Sequence, residues 1–218
     1  MTAPLRWPRR EHIRPTHETD PLHFYYRWGI RGVFRKRLAM VVELLGDRRY
    51  DELLEVGFGS GIFLPELAAR CRRLYGVDVH GNFDLVEAML GQEGIQATLV
   101  DCPVQKIAFE DGRFDCVVSA SVLEHVHDVD QAIDEIARVL QPDGVAVLAF
   151  PVENLLTDVA LWITYIPLNT RLKDEHVSDH RAILAAIRRR FRIVRERRLP
   201  GFLPLDACLY YACLCVKA

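Results

Sequence analysis

The chain has no run of eighteen uncharged apolar residues, which excludes a membrane-spanning helix from the reading. It has no apolar segment with a cleavage site behind its basic first residues, so no secretory leader is expected. Its six cysteines form no C-x-x-C pair and mostly sit in apolar runs, which points to buried, reduced thiols in a cytoplasmic protein. There is no internal repeat and no low-complexity tract. Lysine is scarce, 4 against 24 arginines, which hints at a GC-rich bacterial source and says nothing of substrate. What remains is 218 residues, half of them apolar, enough for one α/β domain with a real core.

The net charge of −2 hides a pattern. Residues 1–49 carry net +6, residues 50–170 net −14 and residues 171–218 net +6. Two readings follow. The basic ends pack on the acidic centre and neutralise it, or they form a rim for an anionic substrate or surface.

Residues 1–19, rich in Pro, Arg and His, read as a flexible arm. Residues 20–49 read as a helical cap: Asp20 can cap, Pro21 fits the first helical position, and Gly29 and Gly32 predict a break. From Tyr50 strands and helices alternate. Strands are expected at Asp51–Gly57, Leu74–Val79, Ile95–Asp101, Phe114–Ala120 and Val145–Phe150. Helices are expected at Gly61–Arg72, Phe83–Leu90 and Val129–Leu140. Residues 151–177 interrupt the pattern with an apolar, aromatic, lid-like insertion. A helix (about 179–190) and two strands (about 191–199 and 207–217) finish the chain. Apolar strands alternating with amphipathic helices predict an α/β fold with a mostly parallel sheet covered on both faces.

The densest signal is L-L-E-V-G-F-G-S-G-I-F, residues 53–63. An apolar strand ends at an acid and runs into glycines at alternate positions. Such a loop lets a polar ligand approach the backbone beyond the strand ends. A dinucleotide loop, G-x-G-x-x-G, wants its third glycine at position 62, which is Ile62 here. The observed form is E-x-G-x-G-x-G. With Y-G-V-D (75–78), V-D-C (100–102), F-D-C-V-V-S-A-S-V-L-E-H-V (114–126) and L-Q-P-D-G-V-A-V-L (140–148), it resembles the class I S-adenosylmethionine-dependent methyltransferases, of the small-molecule, type 11/23-like kind. The likeness is close over residues 50–150 and loose over the last strands.

That resemblance implies a Rossmann-like, doubly wound seven-stranded sheet with an antiparallel last strand. It implies S-adenosyl-L-methionine as cofactor and S-adenosyl-L-homocysteine as product. Gly57, Gly59 and Gly61 should border the methionine part, and Glu55 its ammonium. Asp78 should accept the ribose hydroxyls, with Val79 beside it. Asp101 should reach the adenine amino group, with the Cys102 amide near a ring nitrogen. Ser119 and Ala120 should lie beneath the sulfonium.

Methyl transfer needs alignment first, and a base only when the acceptor must lose a proton. His125 and His176 are the candidate bases, with His127 behind them. His176 and His180 are four apart, but no acid or thiol completes a ligand set, so no metal is expected. Positions 119–122 read Ser-Ala-Ser-Val. They lack the N/D-P-P-Y/F tetrad of the enzymes that methylate base amines or glutamine. The only Cys-Pro, residues 102–103, is no cytosine C5 nucleophile, so a nucleic-acid acceptor is disfavoured. Tyr25 and Trp28 in the cap, and Trp162 and Tyr165 in the insertion, are candidate walls of a pocket for a small, partly apolar acceptor. Arg27, Arg31 and Arg35, at helical spacing, are either an anion site or a solvated face. The alternatives are an RNA, protein or lipid acceptor reached through the basic ends, with peripheral membrane contact, a non-catalytic cofactor-binding partner subunit, and a nicotinamide oxidoreductase. Oligomeric state is not readable.

Overall fold

A computed structural model describes residues 5–18, 20–28, 31–152, 154 and 177–218. Seven strands are hydrogen-bonded into one sheet: β1 (Tyr50–Val56), β2 (Cys71–Asp78), β3 (Thr98–Asp101), β4 (Phe114–Ala120), β5 (Leu140–Pro151), β6 (Phe191–Leu199) and β7 (Tyr210–Lys217). Their order is β3-β2-β1-β4-β5-β7-β6. Strands β1 to β5 pair in parallel, and β7 runs antiparallel to both β5 and β6. This is the doubly wound sheet expected. β4 lies at its centre, and Phe114–Ser119 are buried along its length, which is why this strand is rich in apolar residues.

Helices α1 (Leu22–Tyr26), α2 (Arg31–Leu45), α3 (Leu64–Ala68), α4 (Phe83–Gln92), α5 (Val129–Val139) and α6 (His180–Arg190) accompany the sheet. One core layer joins Leu53, Val118 and Val147 to α2, α3 and α4. The other joins Leu54, Val117 and Leu148 to α5 and α6. α5 shows why: Val129, Ala132, Ile133, Ile136 and Val139 make one buried stripe at helical spacing. Each buried Ile or Val contributes about 1.5–3 kcal/mol. Asp128 and Asp179 cap α5 and α6 by accepting from the Gln131 and Ala182 amides at 2.9 and 2.7 Å.

The cap helix is broken into α1 and α2 near the two glycines, and several boundaries elsewhere differ from expectation. Asp20 serves the start of the cap, accepting from the Leu22 amide and the Thr16 amide, both at 2.9 Å. The helix after the glycine loop is only five residues, α3. β5 begins at Leu140 and takes in the expected Pro142–Gly144 turn as an irregularity in its register to β4, with Phe114 opposite Leu140 and Cys116 opposite Val145.

The expected flexible arm is corrected. Residues 5–18 carry no helix or strand, but Ile13 is fully buried. The Arg6 amide donates to Glu66 at 2.8 Å and the Arg9 amide to Glu93 at 2.8 Å. His12 Nδ1 lies 2.7 Å from Glu93, and the Asn82 side-chain amide donates to the Thr16 carbonyl at 2.6 Å. Bonds from acids and an amide far along the chain hold the segment, so it needs no periodicity of its own.

The basic C-terminal segment meets the acidic centre. Arg189 pairs with Asp130 and Arg190 with Asp134 at 2.5 Å, whereas Arg197 pairs with Glu43 of the N-terminal segment at 3.0 Å. All are exposed, so each contributes little stability, but they favour neutralisation over a free basic rim at that end.

Candidate functional site

β1 and β4 are neighbours, and the chain leaves them in opposite directions across the sheet. Val56 stands opposite Ser119 at the carboxyl end. This is the switch point where a doubly wound sheet opens a crevice.

The glycine loop lies over that end. Gly57, Gly59 and Gly61 all have positive φ, +73°, +51° and +76°, where a Cβ is disfavoured. Their surroundings differ. A Cβ on Gly57 would sit 2.2 Å from a Val122 methyl, and one on Gly61 2.7 Å from Val86 and 2.8 Å from Met89. A Cβ on Gly59 would meet no atom within 4 Å. Two of the three glycines therefore make room for the protein's own side chains. Of the three, only Gly59 has open space where a Cβ would stand.

Asp78 ends β2 opposite Asp101 of β3. One of its oxygens accepts from the Gly59 amide and the other from the Val79 amide, each at 2.7 Å. The carboxylate thus clasps the loop. It still has spare lone pairs, about four sites for two bonds. Val79 beside it is 63% exposed. The Cys102 amide is not available to a ring nitrogen: it donates to the Asp78 carbonyl at 3.1 Å. Asp101 is exposed at its strand end.

Glu55 is buried, and its Oε2 has no hydrogen-bond partner. Burial first, then the charge of Asp78, pushes its pKa up to about 8. An orphaned buried carboxyl oxygen is costly, and a cationic amine would satisfy it. Ser119 Oγ is likewise buried without a partner. Phe58, His80 and Phe83 pack around one another beside the loop, centroids 5.0–5.2 Å apart. Sequence reasoning missed this aromatic wall, because its members meet only when β2 lies beside the loop.

A second cluster covers the β4–β5–β7 side. Tyr210 opens β7, and its hydroxyl lies 2.8 Å from Ser121 Oγ, just beyond β4. Ser121 has φ +60°, unusual for a residue with a Cβ. The Arg37 guanidinium lies 4.2 Å over Phe34 and 5.1 Å over Tyr210, and donates to the Tyr25 hydroxyl at 3.2 Å. Tyr25 is thus buried in this cluster, whereas Trp28 is almost wholly exposed and stands apart. Arg37, Ser121 and Tyr210 were not singled out from sequence, since 89 residues separate Ser121 from Tyr210. Ala120 is half-buried at the end of β4, between the two clusters.

His125 has a partly exposed ring, its Nε2 4.0 Å from Glu124. His127 is exposed. His180 is buried, with Nε2 3.1 Å from Asp206. Arg35 donates to the Tyr25 carbonyl at 3.1 Å and lies over Trp7, while Arg27 and Arg31 are exposed. Trp162, Tyr165 and His176, with most of the insertion, lie outside the described residues.

Residues 54–148 match the family model described as "Methyltransferase domain". The chain is 30% identical over 172 residues to a ubiquinone/menaquinone biosynthesis C-methyltransferase of Pseudomonas entomophila, covering 72% of this chain and 66% of that protein. It is 26% identical over 140 residues to a ubiquinone biosynthesis O-methyltransferase of Bordetella avium, covering 63% and 52%. The chain thus spans about half to two thirds of these relatives' lengths. Among solved structures it resembles the N-methyltransferase NodS of Bradyrhizobium japonicum in complex with S-adenosylhomocysteine, with TM-score 0.67, 18% identity, and coverage of 94% and 95%.

Proposed function

The chain belongs to the class I S-adenosylmethionine-dependent methyltransferases, and from that premise we propose that it transfers a methyl group to a small, partly apolar acceptor. When bound, S-adenosylmethionine supplies a methyl on a positively charged sulfur with a good leaving group. The chain's residues hold, orient and exclude water.

Glu55 faces the ammonium and gives up its proton to do so. The open backbone at Gly59 borders the methionine part, with Gly57 and Gly61 shaping the loop. Asp78 adds the ribose hydroxyls to the amides it already accepts from. Val79 and the Phe58–His80–Phe83 wall flank the adenine, and Asp101 accepts from its amino group. Ser119 and Ala120 lie beneath the sulfur. The observation that carries this reading is the convergence of an orphaned buried acid, an open glycine and a strand-end carboxylate at one switch point.

The acceptor side is the Tyr25–Arg37–Ser121–Tyr210 cluster, aromatic with a few polar groups, which suits an acceptor that is apolar in body and polar at one point. The relatives' names, from ubiquinone biosynthesis, support a small apolar acceptor. His125, in the loop after β4, is the described candidate for accepting a proton where the acceptor must lose one; His176 is the other candidate. Trp162 and Tyr165 are further candidates for contact with the acceptor. The setting proposed is the cytoplasm.

Calorimetric titration with S-adenosylmethionine and S-adenosylhomocysteine tests the reading. Micromolar binding is expected for the protein and its loss in Asp78→Ala. A folded protein that binds neither compound sinks it.

A further inference from the structure

Trp28 is 87% exposed and Phe202 is 86% exposed. Single exposed apolar residues are ordinary, so their position decides whether these two matter. Phe202 stands in Pro200-Gly201-Phe202-Leu203-Pro204-Leu205, a run without one polar side chain. Leu199 pairs with Tyr210, and Tyr210 with Pro151. The run therefore leaves the sheet at the carboxyl end of β5, the edge where the crevice opens. Trp28 lies two residues beyond α1, whose Tyr25 is joined through Arg37 to the Tyr210 ring at that same edge. α2 then carries the chain away, to Leu45, whose carbonyl accepts from the Tyr50 hydroxyl at the far end of β1. Both apolar tips thus project from the edge that holds the crevice.

Charge accompanies them. Arg27 precedes Trp28, and Arg31 opens α2. Both are exposed, and neither forms an ion pair among the described residues, unlike Arg189, Arg190 and Arg197. An indole between exposed guanidinium groups suits a headgroup layer, where aromatic rings settle and arginines meet phosphates. A stable protein partner wants a continuous patch of about 800 Å², whereas these are two tips on separate loops.

We propose that this edge docks on an anionic lipid bilayer, Trp28 and Phe202 entering the headgroup layer and Arg27 and Arg31 lying against its phosphates. The crevice then opens toward the membrane. Docking does not depend on methyl transfer; its use, giving access to an acceptor dissolved in the bilayer, rests on the function proposed above.

The test is co-sedimentation of the full chain with vesicles of phosphatidylcholine, alone or mixed with phosphatidylglycerol. The protein is expected on the mixed vesicles, less so as salt rises. Trp28→Ala with Phe202→Ala should lower partitioning at least about tenfold. Arg27→Gln and Arg31→Gln should each lower it about fivefold, on the anionic vesicles alone. The proposal is overturned if the protein stays in solution with the mixed vesicles, or if the Trp28/Phe202 double variant binds as well as the unaltered protein. It is also overturned if ultracentrifugation shows self-association that this double variant abolishes, because the tips then meet a second copy. S-adenosylhomocysteine titration separates the two readings. Its affinity should be the same in these variants as in the unaltered protein. A chain that docks on vesicles but binds no cofactor would sink the proposed activity and leave the docking standing.

Discussion

The two halves of the sheet build their share of the crevice differently. From β3 to β4, polar groups come from strand ends: Glu55 and Gly59 around the end of β1, Asp78 at β2, Asp101 at β3 and Ser119 at β4. Each belongs to a short local pattern. On the β5–β7 side, the groups are Tyr25, Arg37, Ser121 and Tyr210, brought together from three separate parts of the chain. The first half is constrained by the backbone of a doubly wound sheet; the second by how added elements pack on it. A fixed ligand suits the first and a variable one the second.

Asp78 should show the largest effect. Asp78→Ala removes an acceptor for the ribose and the clasp on Gly59 together. We expect S-adenosylhomocysteine affinity to fall by about 3 kcal/mol, roughly a hundredfold or more, in a calorimetric titration. Asp78→Asn, which keeps one acceptor oxygen, should lose less.

Next come the glycines. Gly61→Ala puts a methyl into Val86 and Met89 at positive φ and should destabilise by about 2–3 kcal/mol in urea denaturation. Gly59→Ala meets open space, so it should cost only about 1 kcal/mol of stability while weakening the cofactor more. Equal stability losses at the two positions would erase the distinction between packed and ligand-facing glycines.

Glu55 gives a pH signature. Its folded pKa of about 8 lies above its unfolded value near 4.5. The folded state therefore holds the extra proton, and stability falls as pH rises from about 4.5 to about 8. Glu55→Gln should flatten that slope across the window. Affinity for the amine-bearing cofactor should rise over the same range, as the carboxyl ionises. A protein whose denaturation midpoint has the same pH slope with and without Glu55 would refute this.

The smallest effect is expected across the sheet. Tyr210→Phe loses the Ser121 bond, about 1 kcal/mol. It should raise the acceptor KM while S-adenosylhomocysteine affinity holds. A change in cofactor affinity of the same size would mean that the two halves are not separable.

The legibility of the sequence follows the same division. β4 and β6 begin and end where the residues predict: β4 because it is apolar and buried along its length, β6 because the preceding helix and the Pro200-Gly201 turn bound it locally. Asp78 and Asp101 were legible as strand-end acids. The contrast between Gly59 and its neighbours was not, since Val122 and Met89 reach Gly57 and Gly61 only through tertiary packing. Ile13 was not legible either: the arm is held by Glu66, Glu93 and Asn82, and no local period announces that. Trp28 was read as a pocket wall from its type alone, and a break between α1 and α2 turns it outward.

The position of β7 has a consequence for how the molecule is made. β6 precedes β7 in the chain but lies outside it, so it has no neighbour to bond until β7 slots in beside β5. During synthesis β6 must wait with its edges open, a state that invites aggregation. Its Arg192, Arg195, Arg197 and Arg198 keep the waiting strand soluble. Because Tyr210 is the first residue of β7, the strand that ends this wait also delivers the hydroxyl to Ser121, and the acceptor side is completed in the same event that closes the sheet.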